Sequence, residues 1–411
     1  MVNWIRDLSA KERKTLLAAY GGWSVDAFDF MIYTFVIPTL IAAWGMTRGE
    51  AGMIATSALL ASAVGGWAAG ALADRVGRVR MLQITIAWFA LFTFLCGFTH
   101  SFEQLLIVRT LQGLGFGGEW AVGSVIIGEI IRAEHRGKAV GTVQSGWAIG
   151  WGGAALLFTV FFSVLPEELA WRVLFWVGLL PALLILYIRR NVAEPEVFEA
   201  TRSHREARGG SFLEIFSARL LPTTVLASLV ATGMQGGYYA ITTWLPTYLK
   251  TVRGLSVLDT GGYLIVVIAG ALAGYLVAAW LSDRIGRRNT FFLFAVCSAA
   301  SAVIYTLLPI SDALMLVLGF PLGFFVSGNF SGVGAFFTEL FPSRCRGSGQ
   351  GFCYNFGRGI GALFPALVGF LSAKLGLGAA IGLFAGAAYV LVILAVALLP
   401  ETRGKTLAVY D

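Results

Sequence analysis

The sequence predicts an all-α integral membrane protein whose twelve transmembrane helices form two pseudo-symmetric six-helix bundles. Three observations carry that prediction. Only 13% of the 411 residues are charged and 57% are hydrophobic, with a mean hydropathy of +0.77, whereas a soluble chain carries about 25% charge. Apolar runs of the roughly 20 residues needed to cross a bilayer recur along the whole chain. Two separate motifs of the first half return in the second half at almost the same spacing.

The spanning segments fall near 15–43, 50–72, 80–98, 103–130, 138–164 and 171–189, then near 219–248, 260–281, 289–308, 313–340, 348–372 and 376–399. Charge placement orients them. With the N-terminus in the cytoplasm, 23 of the 30 Lys and Arg residues lie in inside segments, and five (Arg48, Arg172, Lys250, Arg253, Lys374) in outside loops. That imbalance is the positive-inside signature. A multi-pass inner-membrane protein with both termini cytoplasmic is expected. The opening MVNWIRDLSAKERK is polar and offers no signal-peptide cleavage site.

The longest polar stretch, RRNVAEPEVFEATRSHREARGGSF at 189–212, divides the helices into two sets of six. It predicts an N-terminal bundle over 1–189, a cytoplasmic linker over 190–217 and a C-terminal bundle over 218–411, in a monomer. GALADRVGRVR (70–80) recurs as AAWLSDRIGRR (278–288), aligning Asp74 with Asp283 at an offset of 209. EIIRAEHRGKAVG (129–141) recurs as ELFPSRCRGSGQG (339–351), aligning Glu129 with Glu339 at 210. A duplicated unit is how transporters place a binding site at a repeat interface.

Carboxylates inside such helices need a reason, because each costs roughly 2.5–3.5 kcal/mol at mid-membrane. Asp26 and Asp29 lie in the middle of the first apolar run. Three residues apart, they share a helix face with about 4.5 Å of rise between them. Two carboxylates that close resist simultaneous ionisation, which suits one of them to carrying a proton. Asp29, nearer the midplane, is the preferred carrier. The alternative is a structural pair that bonds a neighbouring helix or Arg109. Glu119, about 15 Å beyond Arg109 along the fourth segment, is a third intramembrane acid, either a relay or a packing contact. Glu129 and Glu339 precede Arg-Gly turns, where pairing with local arginines is the expected role.

In the second half, YNFGRGIG (354–361) places Arg358 near the midplane. The repeat maps it to Ala148, so the charge is not inherited from the duplication. Its guanidinium fork fits a carboxylate in bidentate geometry, which predicts a bound substrate anion. The rival is a permanent bridge to Asp26 or Asp29. Gln235, Tyr238, Tyr239 and Asn355 fall at similar depth, as do Gln144, Ser145, Trp147 and Trp151 in the fifth segment. They offer hydrogen bonds and aromatic walls, or simple packing.

Several classes are excluded. There is no G-x4-G-K-[ST] phosphate loop for ATP-driven transport. His100, His135 and His204 lie far apart, and Cys96, Cys297, Cys345 and Cys353 have no metal spacing. No cofactor, metal or enzymatic activity is expected. The net charge of +7 sits in short clusters that serve topology and do not suggest nucleic-acid binding.

The motifs carry a family resemblance over the whole chain. Gly70, Asp74, Arg75, Gly77 and Arg78 resemble the signature loop of the major facilitator superfamily, repeated here at Asp283, Arg284 and Arg287. R-x3-G-x-G-x-G-G from Arg109 to Gly118 is similar to its fourth-helix motif, and PETRGK (400–405) to its sugar-porter ending. The loop residues are then expected to latch and release a gate as the halves rock. VDAFDF and GGEW resemble the metabolite:proton symporters, with their sialate, lactate and aromatic-acid branches. Unlike the sialate members, this chain has no extra helices. Unlike the fungal lactate branch, its seventh segment has no His, Gln and Asp cluster, reading MQGGYYAITTWLPT. The resemblance implies uptake of a small carboxylate (a monocarboxylate, aromatic acid or sugar acid) together with a proton. A sugar or polyol porter and a drug:proton antiporter are the alternatives.

Overall fold

The computed structural model describes residues 3–131, 133–180, 182–192, 212–342 and 345–403. His204 and the centre of the expected linker lie outside the described residues, as do the side chains of Asp74, Arg75, Glu129 and His135. Among the described residues the chain is helical throughout, without strands.

Two compact units emerge. One comprises residues 1–46 and 53–205, the other residues 47–52 and 206–411. The first contains α1 (Asn3–Arg6), α2 (Ala10–Trp44), most of α3 (Arg48–Val76), α4 (Arg78–Cys96), α5 (Phe102–Ile130), α6 (Ala133–Val164), α7 (Glu167–Val177) and α8 (Ala182–Asn191). The second contains α9 (Leu221–Thr251), α10 (Val257–Ile285), α11 (Arg287–Leu307), α12 (Asp312–Gly328), α13 (Val333–Leu340), α14 (Arg346–Gly361), α15 (Phe364–Leu375) and α16 (Leu377–Leu398).

Local chemistry sets the helix ends. Ser9 and Glu12 form a reciprocal capping box at the start of α2, and Gly45 closes that helix in the left-handed region at φ 64°. Gly77 and Gly286, the glycines of the repeated loop, have φ of 112° and 101°. Each is the sole residue between two helices, α3 and α4 or α10 and α11. An L side chain is strained at such a φ, which explains the glycine in both copies of the motif.

Among the described residues, ten helices are long and apolar enough to cross a membrane. Helices α5 and α9 fall outside that set; α5 carries Arg109, Gln112 and Glu119, and α9 carries Gln235 and a series of threonines. The outer faces are apolar where a soluble protein would be polar, with Trp67, Val164 and Leu398 more than 70% exposed. Lipid is the solvent for that surface.

Three segments that read as continuous runs are broken. One ends at Gly178, after α7. A second is interrupted at Pro365, which has no N–H to give the carbonyl of Gly361, so α14 stops there and α15 restarts on the proline. The third break, at residues 329–332 between α12 and α13, is held by side chains. Asn329 donates to Phe325 O at 3.0 Å, and Ser331 donates to Tyr275 O at 2.7 Å.

Packing in both units relies on small residues. In the first, α2 lies on α6 and α5 on α3; a Cβ at Gly150 would meet Ser24 O at 1.7 Å, and one at Gly117 would meet Ser62 O at 1.7 Å. In the second unit α10 lies on α12 with the same intimacy, Gly323 against Val267 O at 1.8 Å.

Candidate functional site

The first unit buries three carboxylates and an arginine. Asp26, Asp29, Arg109 and Glu119 are each 2% exposed or less. Helices α2 and α5 divide them into two groups. Glu119 is a close neighbour of Asp26. Gly22, one turn before Asp26, makes room for it, since a Cβ there would lie 2.2 Å from Glu119 Oε1. Two carboxyl groups can bond each other only through a proton held by one of them.

Asp29 keeps different company. Thr93 of α4 and Arg109 of α5 are its neighbours, and Gly178 backs it, with a Cβ there reaching Thr93 Cγ2 at 2.3 Å and Asp29 Oδ1 at 3.0 Å. Gln112 donates to Thr93 Oγ1 at 3.0 Å. The Arg109 guanidinium lies 5.0 Å from the centre of the Tyr33 ring. Neither Asp29 oxygen, nor Nε or Nη1 of Arg109, makes a direct hydrogen bond. Asp26 and Asp29 thus have different neighbours, Glu119 for the first and Thr93 with Arg109 for the second. Helical spacing placed both on one face, but the neighbouring helix decides what each side chain meets.

Aromatic rings fill the surroundings of the two acid groups. Phe30 stacks on Phe116 at 5.3 Å, and both pack on Trp147, at 5.9 and 6.1 Å. Trp23 covers the other side of Trp147 at 4.9 Å. Gln144 and Ser145 are buried nearby in sequence on α6, and Ser145 is turned to its own helix, donating to Thr142 O at 2.7 Å. Trp151 is also buried.

The second unit builds its polar centre from neutral groups and Arg358. Gln235 of α9 donates to Tyr354 O of α14 at 2.9 Å, which fixes the orientation of its amide. Tyr239 donates to Gln235 Oε1 at 3.3 Å. The phenol oxygen then faces Arg358 as acceptor, and the guanidinium lies 5.2 Å from the Tyr354 ring centre. Tyr238 packs edge-on against Tyr239 and against Phe330, which belongs to the break in residues 329–332. Asn355 is not drawn into this group. It is half-buried and donates to Gly351 O of its own helix at 3.0 Å.

The repeat relates the two centres. At an offset of 209 Asp26 and Asp29 align with Gln235 and Tyr238, at 210 with Gly236 and Tyr239, and Glu119 at 210 aligns with Asn329. At either offset each acid of the first unit corresponds to an uncharged residue in the second.

At the end of α10 the second copy of the loop motif forms a charge network. Arg287 bonds Asp283 at 2.5 Å and Glu339 at 3.3 Å, and its Nη1 donates to Ser282 Oγ at 3.1 Å. Arg284 instead stacks over Trp280 at 4.3 Å. Glu401 accepts from the backbone N–H groups of Arg287 and Arg288, and Thr402 donates to Glu339. The PETR sequence is thereby part of this network. In the first copy, Gly70 has open space beside it, and Arg78 is buried at the start of α4. Among the described residues no three His, Cys, Asp or Glu side chains gather as a metal site.

Comparison with known proteins places this architecture. A probable 4-methylmuconolactone transporter of Cupriavidus pinatubonensis is 45% identical over 98% of this chain and 94% of its own. A cis,cis-muconate transport protein of Acinetobacter baylyi is 29% identical over 91% of this chain and 90% of its own. Among solved structures, the proton:xylose symporter XylE bound to 6-bromo-6-deoxy-D-glucose shares the fold at a TM-score of 0.75 and 20% identity, covering 97% of this chain and 98% of that one. Residues 20–313 and 264–409 match the Major Facilitator Superfamily. This chain belongs to that superfamily, and it is a membrane transport protein and not an enzyme.

Proposed function

We propose that this protein takes up a small organic anion, a carboxylate, together with a proton by alternating access. The proposal includes twelve membrane passes, with α5 and α9 counted as spans and the broken runs as single crossings. It also includes an N-terminal bundle over 1–189, a linker over 190–217, a C-terminal bundle over 218–411, an inner-membrane location with both termini cytoplasmic, and a monomer.

The observation that carries the reading is the division of charge between the two repeats. One repeat buries Asp26, Asp29 and Glu119; the other has uncharged residues at the equivalent positions and adds Arg358. Acids that exchange a proton belong to the first repeat in this reading, and anion recognition to the second. The Asp26–Glu119 contact suits a proton carrier, because it forms with a proton and is repulsive without one. Asp29, facing Arg109, serves better as a counter-charge. Arg358 supplies the fork for a carboxylate, with Tyr238, Tyr239 and Gln235 as walls and donors. Gln144 and Trp147 are the first repeat's candidate substrate contacts, and Asn355 is a further one in the second repeat. Gly70, Asp74, Arg75, Gly77 and Arg78 serve as the gating motif of the first repeat, and Asp283, Arg284 and Arg287 as that of the second.

The named substrates of the relatives, a muconolactone and a muconate, favour an unsaturated ring-cleavage acid within the carboxylate class. The sugar-porter ending does not argue otherwise, since Glu401 and Thr402 have a structural use in the charge network. The test is uptake of labelled cis,cis-muconate and 4-methylmuconolactone into proteoliposomes. Accumulation driven by an inward proton gradient and abolished by a protonophore is expected, with D-xylose left outside. Uptake of D-xylose and of neither acid would overturn the reading.

A further inference from the structure

The second unit contains a small cavity lined by Ser282, Thr290, Phe291, Phe294, Asn329 and the glycines 328 and 332. It lies between the charge network at the end of α10 and the break in residues 329–332. Asn329 is 2% exposed. Its amide nitrogen is fully committed, donating to Ser298 Oγ at 3.1 Å and to the Phe325 carbonyl at 3.0 Å. A carbonyl can only accept, so the orientation of this amide is fixed. What Asn329 has left is Oδ1, a buried acceptor with no hydrogen-bond partner.

The rest of the lining is equally selective. Thr290 donates its hydroxyl to Gly286 O at 2.8 Å. Ser282 Oγ accepts from Arg287 at 3.1 Å, leaving its own hydrogen to give. The cavity thus pairs one free acceptor with one free donor, between phenylalanine walls. A cation is disfavoured by the Arg287 guanidinium next to Ser282. An anion is disfavoured by the Asn329 oxygen. A neutral molecule that both donates and accepts satisfies both groups, and a buried acceptor left unpaired is destabilising.

We propose that this cavity holds one tightly bound water, which accepts from Ser282 and donates to Asn329 Oδ1. The repeat supports the room for it. The equivalent residue in the first unit is Glu119, one methylene longer, whose side chain reaches another carboxyl directly; the shorter asparagine leaves space. The water would tie the latch residue Arg287, through Ser282, to the helix break that carries Phe330 against Tyr238. The substrate walls and the gate of the second unit would then be linked by hydrogen bonds as far as Asn329 and by the Phe330–Tyr238 ring contact beyond it.

X-ray radiolytic footprinting of the full-length protein in lipid nanodiscs, with transfer into H2(18)O before exposure, tests this without any transport substrate. Bound water activated beside an aromatic ring hydroxylates it, and a trapped water exchanges slowly for the heavy isotope. The expected result is hydroxylation of Phe291 or Phe294 above that of the equally buried Phe89, with delayed isotope uptake. Ser282→Ala, which removes one hydroxyl from a folded helix end, should reduce the labelling to the Phe89 level, as should Asn329→Leu. Labelling of Phe291 and Phe294 no greater than Phe89 in the parent protein would overturn the proposal, and so would labelling unchanged in Ser282→Ala. If Asn329→Leu does not fold, the Ser282 variant alone decides.

Discussion

Glu401 accepts the backbone N–H of Arg287 at 2.8 Å, fastening the end of the described chain to the first turn of α11. A carboxylate at a helix N-terminus satisfies orphan donors and complements the helix dipole. Glu401→Ala should therefore cost about 0.5–2 kcal/mol, in the range of lost helix caps. A fall in the thermal-unfolding midpoint in detergent is the expected result, with Glu401→Gln falling less. An unchanged midpoint in the alanine variant would show that the contact contributes nothing.

The Asp26–Glu119 contact makes a prediction about coupling. Asp26→Asn and Glu119→Gln should each abolish accumulation driven by a pH gradient while substrate exchange between loaded vesicles persists. The double variant should be no worse than either single one, because both changes remove the same shared proton. Additive losses would mean that the two acids act separately.

Asp29→Asn separates counter-charge from carrier. It leaves the buried Arg109 without the charge of its neighbour Asp29, which destabilises a cation held away from water. The expected outcome is a lower unfolding midpoint and reduced exchange as well as reduced uptake. Loss of gradient-driven uptake alone, with stability and exchange intact, would instead make Asp29 the proton carrier.

Arg358→Lys keeps the charge and loses the fork. Binding of cis,cis-muconate, measured by calorimetry, should weaken by about tenfold or more, since a charge-assisted hydrogen bond is worth roughly 1.5–3 kcal/mol. Equal affinity in the lysine variant would remove Arg358 from the binding site.

Gly117→Ala should be badly tolerated. Its Cβ would enter the carbonyl of Ser62 at 1.7 Å, where backbone and not a movable side chain must give way. Gly262→Ala, with nothing within 4 Å, should be silent. Expression and monodispersity of the two variants provide the comparison.

Much of this was legible in the sequence, for identifiable reasons. Apolar run length and Arg/Lys placement are one-dimensional signals, and the duplicated loop needs its glycine at positive φ in both copies. The intramembrane charges stood out because their cost demands partners. Which partner each takes was not legible, because that depends on the rotation of α5 against α2. Asp26 meets Glu119 only because Gly22 clears the way. Arg358, Tyr239 and Gln235 assemble through contacts between α9 and α14 that residue spacing within either helix does not contain. Asn329 carried no signal until the break in residues 329–332 showed its oxygen unpaired. The proline after Gly361 was a readable stop; the break at Asn329 contains no proline and depends on Ser298 and Tyr275 from elsewhere in the fold and on Phe325 one turn back.

The one-residue junctions at Gly77 and Gly286 have a mechanical consequence. A single residue offers two soft dihedrals, and here φ lies in a region that few residue types reach. Slack is nearly absent. A force applied to the end of α10 at Asp283 or Arg284 is delivered to α11 as torque, with no loop to absorb it. Lengthening either junction by inserted residues would act as a clutch, letting one helix turn while its neighbour stays still.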